Sequence, residues 1–229
     1  MILSIETSTP VCTIAVHEAG ILLGSYELHT EKSHSEALTQ MIGHLMKVLK
    51  LDFSALKAIA FSEGPGSYTG LRIGSSTAKG LCYGLKIPFI AVSTMQTMAS
   101  QVAQHYANTN SLLCPMIDAR RVEVYTACFS PDLAEIQPVQ AKIIDEASFS
   151  EELEAQKVVL FGNGAAKCGT VLQHPNLSIL SNIVPHARDM GLLAYRKYQE
   201  QQFEDVAYFE PSYLKDFVAT KSKKKSLLL

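Results

Sequence analysis

Apolar and polar positions along the chain first alternate at the period of a strand and then recur at the period of a helix. Residues 2–6 (ILSIE), 11–16 (VCTIAV) and 21–28 (ILLGSYEL) read as three short strands, parted by Ser-Thr-Pro and Glu-Ala-Gly turns. Ser33 and Glu36 form a capping box. Leu38, Met41, Ile42, Leu45, Val48 and Leu49 follow at helical spacing, which predicts a helix over 33–50. A strand at 57–61, a glycine-rich loop, a helix over 69–85, a strand at 88–92 and a helix near 94–107 complete the first half. The order is βββαβαβα.

The second half repeats that order without repeating the sequence. Residues 112–117, 122–129 and 139–144 read as strands. A helix near 148–156, a strand at 157–161, a helix near 164–173, a short strand at 177–180 and a helix over 187–202 follow. Three antiparallel strands that feed parallel ones through crossover helices imply one mixed sheet in each of two lobes. The polar stretch HYANTNS places the boundary so that residues 1–108 form the N-terminal lobe and 109–220 the C-terminal lobe, with 221–229 a flexible basic tail. Among α/β folds this doubled order resembles the actin-like ATPase (ribonuclease-H-like) architecture of sugar kinases and heat-shock ATPases. A doubly wound nucleotide fold would not open on a three-stranded meander.

Composition narrows the function classes. At 229 residues, with 47% apolar and 18% charged residues, the chain is globular and long enough to need no metal or disulfide staple. Its net charge of −2 supplies no global basic field, which argues against autonomous nucleic-acid binding. Five cysteines, odd in number and without a CxxC, suit buried thiols in a reducing cytoplasm. Neither a signal peptide nor an apolar run of about 18 residues is present, so a cytoplasmic protein without a membrane span is expected. The lysine run in KSKKKSLLL repels itself and stays solvated; a local contact to RNA phosphate is the alternative.

Four stretches could carry chemistry. Glu6, Thr7, Ser8 and Thr9 end the first strand where actin-like ATPases hold phosphate and metal, although an ordinary polar turn has the same composition. SEGPGSYTGLRIG at 62–74 follows a strand and opens a helix, a context in which backbone amides bind anions, but it is neither a Walker A loop nor GxGxxG. The helix after it sets Gly70, Gly74 and Ala78 on one face and Ser76, Gly80 and Gly84 on another. Glycine costs a helix about 1 kcal/mol relative to alanine, so close approach of another backbone must compensate. One face packs on its own sheet and the other is left for a partner. Finally, Gly162 and Gly164 in FGNGAA lie where actin-like ATPases meet adenosine, and Asp118-Ala119-Arg120-Arg121 occupies the second phosphate-loop position without its glycines. A role for that turn in folding or docking is favoured over ATP hydrolysis.

The loop 62–74 resembles the motif of the bacterial TsaB (YeaZ-like) family, relatives of the TsaD/Kae-type proteins once labelled glycoproteases. Within it Gly64, Pro65, Gly66, Thr69, Gly70 and Arg72 carry the match. The resemblance extends through LSIETS, IPFIAVST, PMIDARRVEVY, FGNGA and EPSYLKDFVA. It implies an actin-like fold and a non-catalytic subunit of the complex that makes N6-threonylcarbamoyladenosine in tRNA. It further implies a TsaD-type catalytic partner, a TsaE-type ATPase in the same complex, and tRNA met only through the complex. The two N-lobe helices, with Leu38, Met41, Leu45, Gly70, Gly74 and Ala78, form the partner-binding bundle in that family and predict a homodimer when the protein is alone. Weak ATP or ADP binding through Glu6, Ser8, Thr9, Gly162 and Gly164 is the cofactor expectation.

Residue types agree with the absence of catalysis. A TsaD-like site needs two histidines one helical turn apart, and none of the seven histidines is three or four from another. Thr94 and Met98 stand where the resemblance would place that pair, so no metal site is expected. No GxSxG or Cys/His pairing supports a peptidase. An autonomous small-molecule kinase or nucleotide-binding protein of the same fold is the alternative function.

Overall fold

Each of the two sheets is built around a strand that has lost its polar face. β1 (Ile2–Glu6) is buried at every residue, because helices cover it on both sides. It pairs antiparallel with β2 (Cys12–Glu18), which pairs antiparallel with β3 (Ile21–Leu28). On its other flank β4 (Ala58–Ser62) and β5 (Phe89–Val92) continue in parallel, giving the order β3-β2-β1-β4-β5. The second sheet repeats this as β8-β7-β6-β9-β10 from β6 (Ser111–Asp118), β7 (Glu123–Phe129), β8 (Glu135–Ile143), β9 (Lys157–Phe161) and β10 (Leu177–Leu180). The structure, a computed structural model, describes residues 1–29 and 34–215. The Ser33 capping box and the tail from Lys221 therefore lie outside the described residues.

The helices divide differently from the sheets. α1 (His34–Val48) and α2 (Tyr68–Leu85) cover one face of the first sheet, against Leu3, Ile5, Ile14, Val16, Ile59 and Phe61. The other face is lined by Ile2, Ala15, Ala58, Ala60, Ile90 and Val92, whose small members admit a close neighbour. That neighbour comes from the far end of the chain: a 3-10 turn, Ala187–Met190, and α6 (Gly191–Gln199), with Ala187, Met190, Leu193 and Ala194 inserted. Conversely α3 (Thr94–Tyr106) leaves the first lobe and packs Met95, Met98 and Val102 on Leu113, Ile117, Phe129 and Val159 of the second sheet. A cut at 108/109 thus separates the sheets but not their cores, since α3 and the Ala187–Gln199 segment each pack across the division into lobes 1–108 and 109–220. Hydrophobic periodicity shows that a helix has an apolar face and is silent on which sheet receives it.

Other departures are local. β8 begins four residues before the expected start at 139, and Pro138 sits within it; β8 is an edge strand, where a missing N–H costs no ladder bond. The expected helix near 164–173 shrinks to α5 (Ala165–Cys168), and α4 spans Ser150–Ala155. Among the described residues no helix is long and apolar enough to cross a membrane.

The turn that leads into α6 carries a titratable strain. Burial pushes the Asp189 carboxyl up to about 6 against the opposing charge of Arg188, whose Nε lies 3.5 Å away. A carboxyl raised in the folded state binds more protons there than in the unfolded chain, so its contribution to stability falls as pH rises from about 4 to about 6. Asp189→Asn is expected to flatten that decline and raise stability at neutral pH by of order 2 kcal/mol, measured by urea unfolding at pH 4.5 and 7.5. An unchanged pH slope would refute the assignment.

Candidate functional site

The turn after β1 packs against α2 along one side, while Ser8, Thr9 and Pro10 line an open cleft on the other. Glu6, Thr7, Ser8 and Thr9 are all buried. Ser8 N donates to Glu6 Oε1 at 2.5 Å, and Ser67 N donates to Ser8 O at 2.6 Å. Burial drives the Glu6 carboxyl above its usual range, opposed only in part by hydrogen bonds from Ser62 and Ser8. The glycines of the loop and helix make this contact possible. A Cβ at Gly66 would stand 2.3 Å from Ser8 O, one at Gly70 2.1 Å from Thr7 O, and one at Gly74 2.2 Å from Thr7 Oγ1 and 2.6 Å from Phe61. The close approach that the repeated glycines demanded is internal.

This geometry bears on two groups of expected site residues. Glu6 is buried under α2, whereas Ser8 and Thr9, though little exposed, line the cleft between the lobes; Gly162 and Gly164 pack closely, since added Cβ atoms would meet Met116 O at 2.2 Å and the backbone of Ile117 and Asp118 at 3.0–3.1 Å. Of the partner set, Leu38, Leu45, Gly70, Gly74 and Ala78 are buried inside their own lobe, and only Met41 reaches the surface in part. The apolar face of each helix turned inward, as burial of apolar area favours.

The outward faces of α1 and α2 carry the second small-residue stripe. Gly43, Gly80 and Gly84 have open space where a Cβ would project, and Tyr83 beside them is 83% exposed. Thr69, Arg72 and Ser76 share this exposed side of α2, whereas Gly64 and Pro65 are buried beneath the returning chain. A Cβ at Gly64 would come within 3.0 Å of Ser212 O.

The positions at which paired histidines would bind metal are filled by other interactions. Thr94 Oγ1 lies 2.6 Å from Ser62 Oγ and accepts from Gly64 N at 3.0 Å, while Met98 is buried in the core of the second lobe. Among the described residues no group of three or more histidine, cysteine or carboxylate side chains could hold a metal ion.

Between the lobes an open cleft of about 640 Å³ remains. Its floor is the Thr9–Pro10 turn and the start of α2; its opposite wall is the β6–β7 hairpin, with Asn163 beside it. Asn163 Oδ1 accepts from Asp118 N at 2.9 Å, which fixes the hairpin's base. Burial alone would raise the Asp118 carboxyl, but the Lys167 ammonium, 2.5 Å away, and the Arg120 N–H hold it below its usual range. Arg120 and Arg121 form the turn with φ of 72° and 53°. Glycine would hold that left-handed turn without strain, whereas a side chain there costs about 1–2 kcal/mol per residue.

Tyr68, Tyr125, Tyr213 and Lys215 complete the cleft, and residue-by-residue inspection of the sequence does not single them out. The last two arrive on a C-terminal strap. Glu204 N donates to Phe89 O and Ser212 N to Glu63 O, both at 2.8 Å; Tyr213 then stacks obliquely on Tyr68 and Lys215 pairs with Glu123 of the other lobe. The conspicuous stretch EPSYLKDFVA is the only sequence signal for it.

Comparison with known proteins places these features in a family. Residues 27–223 match the family model described as TsaD, tRNA N6-adenosine threonylcarbamoyltransferase. The tRNA threonylcarbamoyladenosine biosynthesis protein TsaB of Escherichia coli (strain K12) is 31% identical, with 96% of each chain covered. A crystal structure from Pseudomonas aeruginosa, described as an uncharacterized protein with similarity to peptidase YeaZ, superposes with a TM-score of 0.82 at 26% identity and covers 93% of this chain and 99% of that one. The activator of the 2-hydroxyisocaproyl-CoA dehydratase from Clostridium difficile superposes at 0.52 with 10% identity over 87% of this chain and 96% of that one, a likeness of fold alone. The fold is the actin-like ATPase fold.

Proposed function

The chain belongs to the TsaB (YeaZ-like) family and takes part in tRNA threonylcarbamoyladenosine biosynthesis, and from that we propose that it is a non-catalytic subunit that binds and activates a TsaD-type catalytic partner. The observation that carries this reading is the outward face of α1 and α2, where Gly43, Gly80 and Gly84 leave a surface on which a partner helix can lie at backbone distance. Small residues let two helices approach closely, and the flanking Tyr83 and Met41 supply adaptable apolar contact. Activation works by holding the partner in its competent form; the threonylcarbamoyl group is transferred to N6 of adenosine in the partner's site. A TsaE-type ATPase acts in the same complex. When the protein is alone the same face pairs with a second copy, since an exposed self-complementary patch closes most simply by a two-fold.

Nucleotide is at most a weak ligand of this subunit. The burial of Glu6 and the glycine packing around Thr7 support that view, because they take the Glu6 carboxylate and the Thr7 hydroxyl out of reach of a ligand in the cleft. The experiment is co-purification of the full chain with the TsaD-type protein of the same organism, with metal analysis and ATP turnover of the chain alone. A stable complex, less than stoichiometric metal and negligible turnover are expected. Turnover by the chain alone that disappears on Asp118→Ala would favour the autonomous kinase instead.

A further inference from the structure

The charge balance of the interlobe cleft differs from that of the molecule. The whole chain carries a net charge of −2, yet both carboxylates on the hairpin wall are already neutralised: Asp118 by Lys167 and Glu123 by Lys215. Arg120 and Arg121 remain as exposed cations at the rim, with no ion pair among the described residues. The cavity behind them has the volume of a small ligand site and is walled by the rings of Tyr68, Tyr125 and Tyr213. Asn163 also lines the cleft, with its carbonyl oxygen engaged by the hairpin.

Two adjacent guanidinium groups favour phosphate, and aromatic rings behind them favour an unstacked base. The arginines stand at the exposed rim of the open cleft, so a ligand that enters it can keep its phosphates there. We propose that this cleft is an RNA contact of the chain itself: Arg120 and Arg121 hold the phosphodiester backbone while an unpaired base enters among the tyrosines. The inference rests on the family's place in tRNA modification and on the cleft; it does not depend on how a catalytic partner docks, since α1 and α2 present a different face. With only two cations outside ion pairs, one of them beside Asp118, the contact is local and weak, and it acts as one part of a larger RNA footprint within the assembly.

The test uses the full chain and a fluorescently labelled RNA hairpin with a single-stranded loop, titrated by anisotropy at low ionic strength. The expected result is saturable binding that ATP in excess does not abolish. Arg120→Glu/Arg121→Glu is expected to weaken it by about tenfold or more. The logarithmic salt dependence should fall in slope by about 1.4 when two single-strand phosphate contacts are lost. Thermal melting of the variant serves as the check on folding, since both side chains are exposed. A fully paired duplex of the same length should bind more weakly than the hairpin. The proposal is overturned if the wild type shows no binding, if the charge reversal leaves affinity and slope unchanged, or if ATP displaces the RNA stoichiometrically, which would assign the cleft to a free nucleotide.

Discussion

Gly74→Leu is expected to unfold the protein or nearly so, and Gly80→Leu to leave it folded while abolishing partner binding. The two positions lie on one helix, yet their surroundings are opposite. At Gly74 the first atom of any side chain would stand 2.2 Å from Thr7 Oγ1 and 2.6 Å from the Phe61 ring, both of them buried. Neither neighbour can retreat, because Thr7 donates to Gly70 O at 2.8 Å and Phe61 is wedged between Phe89 and Phe209. Overpacking of this kind costs about 3 kcal/mol or more, a large share of the roughly 5–15 kcal/mol that holds a domain together. At Gly80 nothing lies within 4 Å of an added Cβ, and leucine gains about 1 kcal/mol of helix propensity over glycine. The Gly80 variant should melt at or above the wild-type temperature. It should also fail to co-purify with a TsaD-type partner and to form its homodimer, because the bulky side chain holds the facing helix away. A folded Gly80→Leu that binds at full strength would move the interface elsewhere; a stable Gly74→Leu would mean that α2 can slide on β1.

The contrast between these glycines shows how far the sequence could be read. Strand and helix order followed from periodicity, and helix α2 was found almost to its ends, because glycine and serine spaced around an amphipathic segment leave its length unchanged. The existence of two small faces was equally legible. Which of them points inward was not, since Gly70/Gly74/Ala78 and Ser76/Gly80/Gly84 are chemically alike and only Thr7 and Phe61, remote in sequence, distinguish them. The same limit applies to the cleft. Asp118, Arg120 and Arg121 stood out as an atypical turn, whereas Tyr68, Tyr125 and Tyr213 become a set only when the chain's end crosses back over its middle.

That crossing predicts the second large effect: Phe209→Ala should cost about 3 kcal/mol. Phe209 is 9% exposed although it lies beyond the last helix. It meets Phe89 edge-to-face at 4.7 Å between centroids and Phe61 edge-to-face at 6.3 Å. Each such pair adds about 0.5–1.5 kcal/mol beyond burial of its area. Its loss also loosens the strap, whose ends are tied by Glu204 to β5 and by Ser212 to the Glu63 carbonyl. For a chain of this size the expected fall in melting temperature is roughly 6–12 °C. Truncation after Tyr208 should destabilise at least as much, since it removes Phe209 together with the Tyr213 and Lys215 contacts to the cleft. Truncation after Thr220 removes only the lysine run and three leucines, which have no apolar periodicity to bury, and should leave the melting temperature nearly unchanged. Equal losses from both truncations would show that the terminal leucines dock on the body, and a neutral Phe209→Ala would show that the strap is held by its backbone bonds alone.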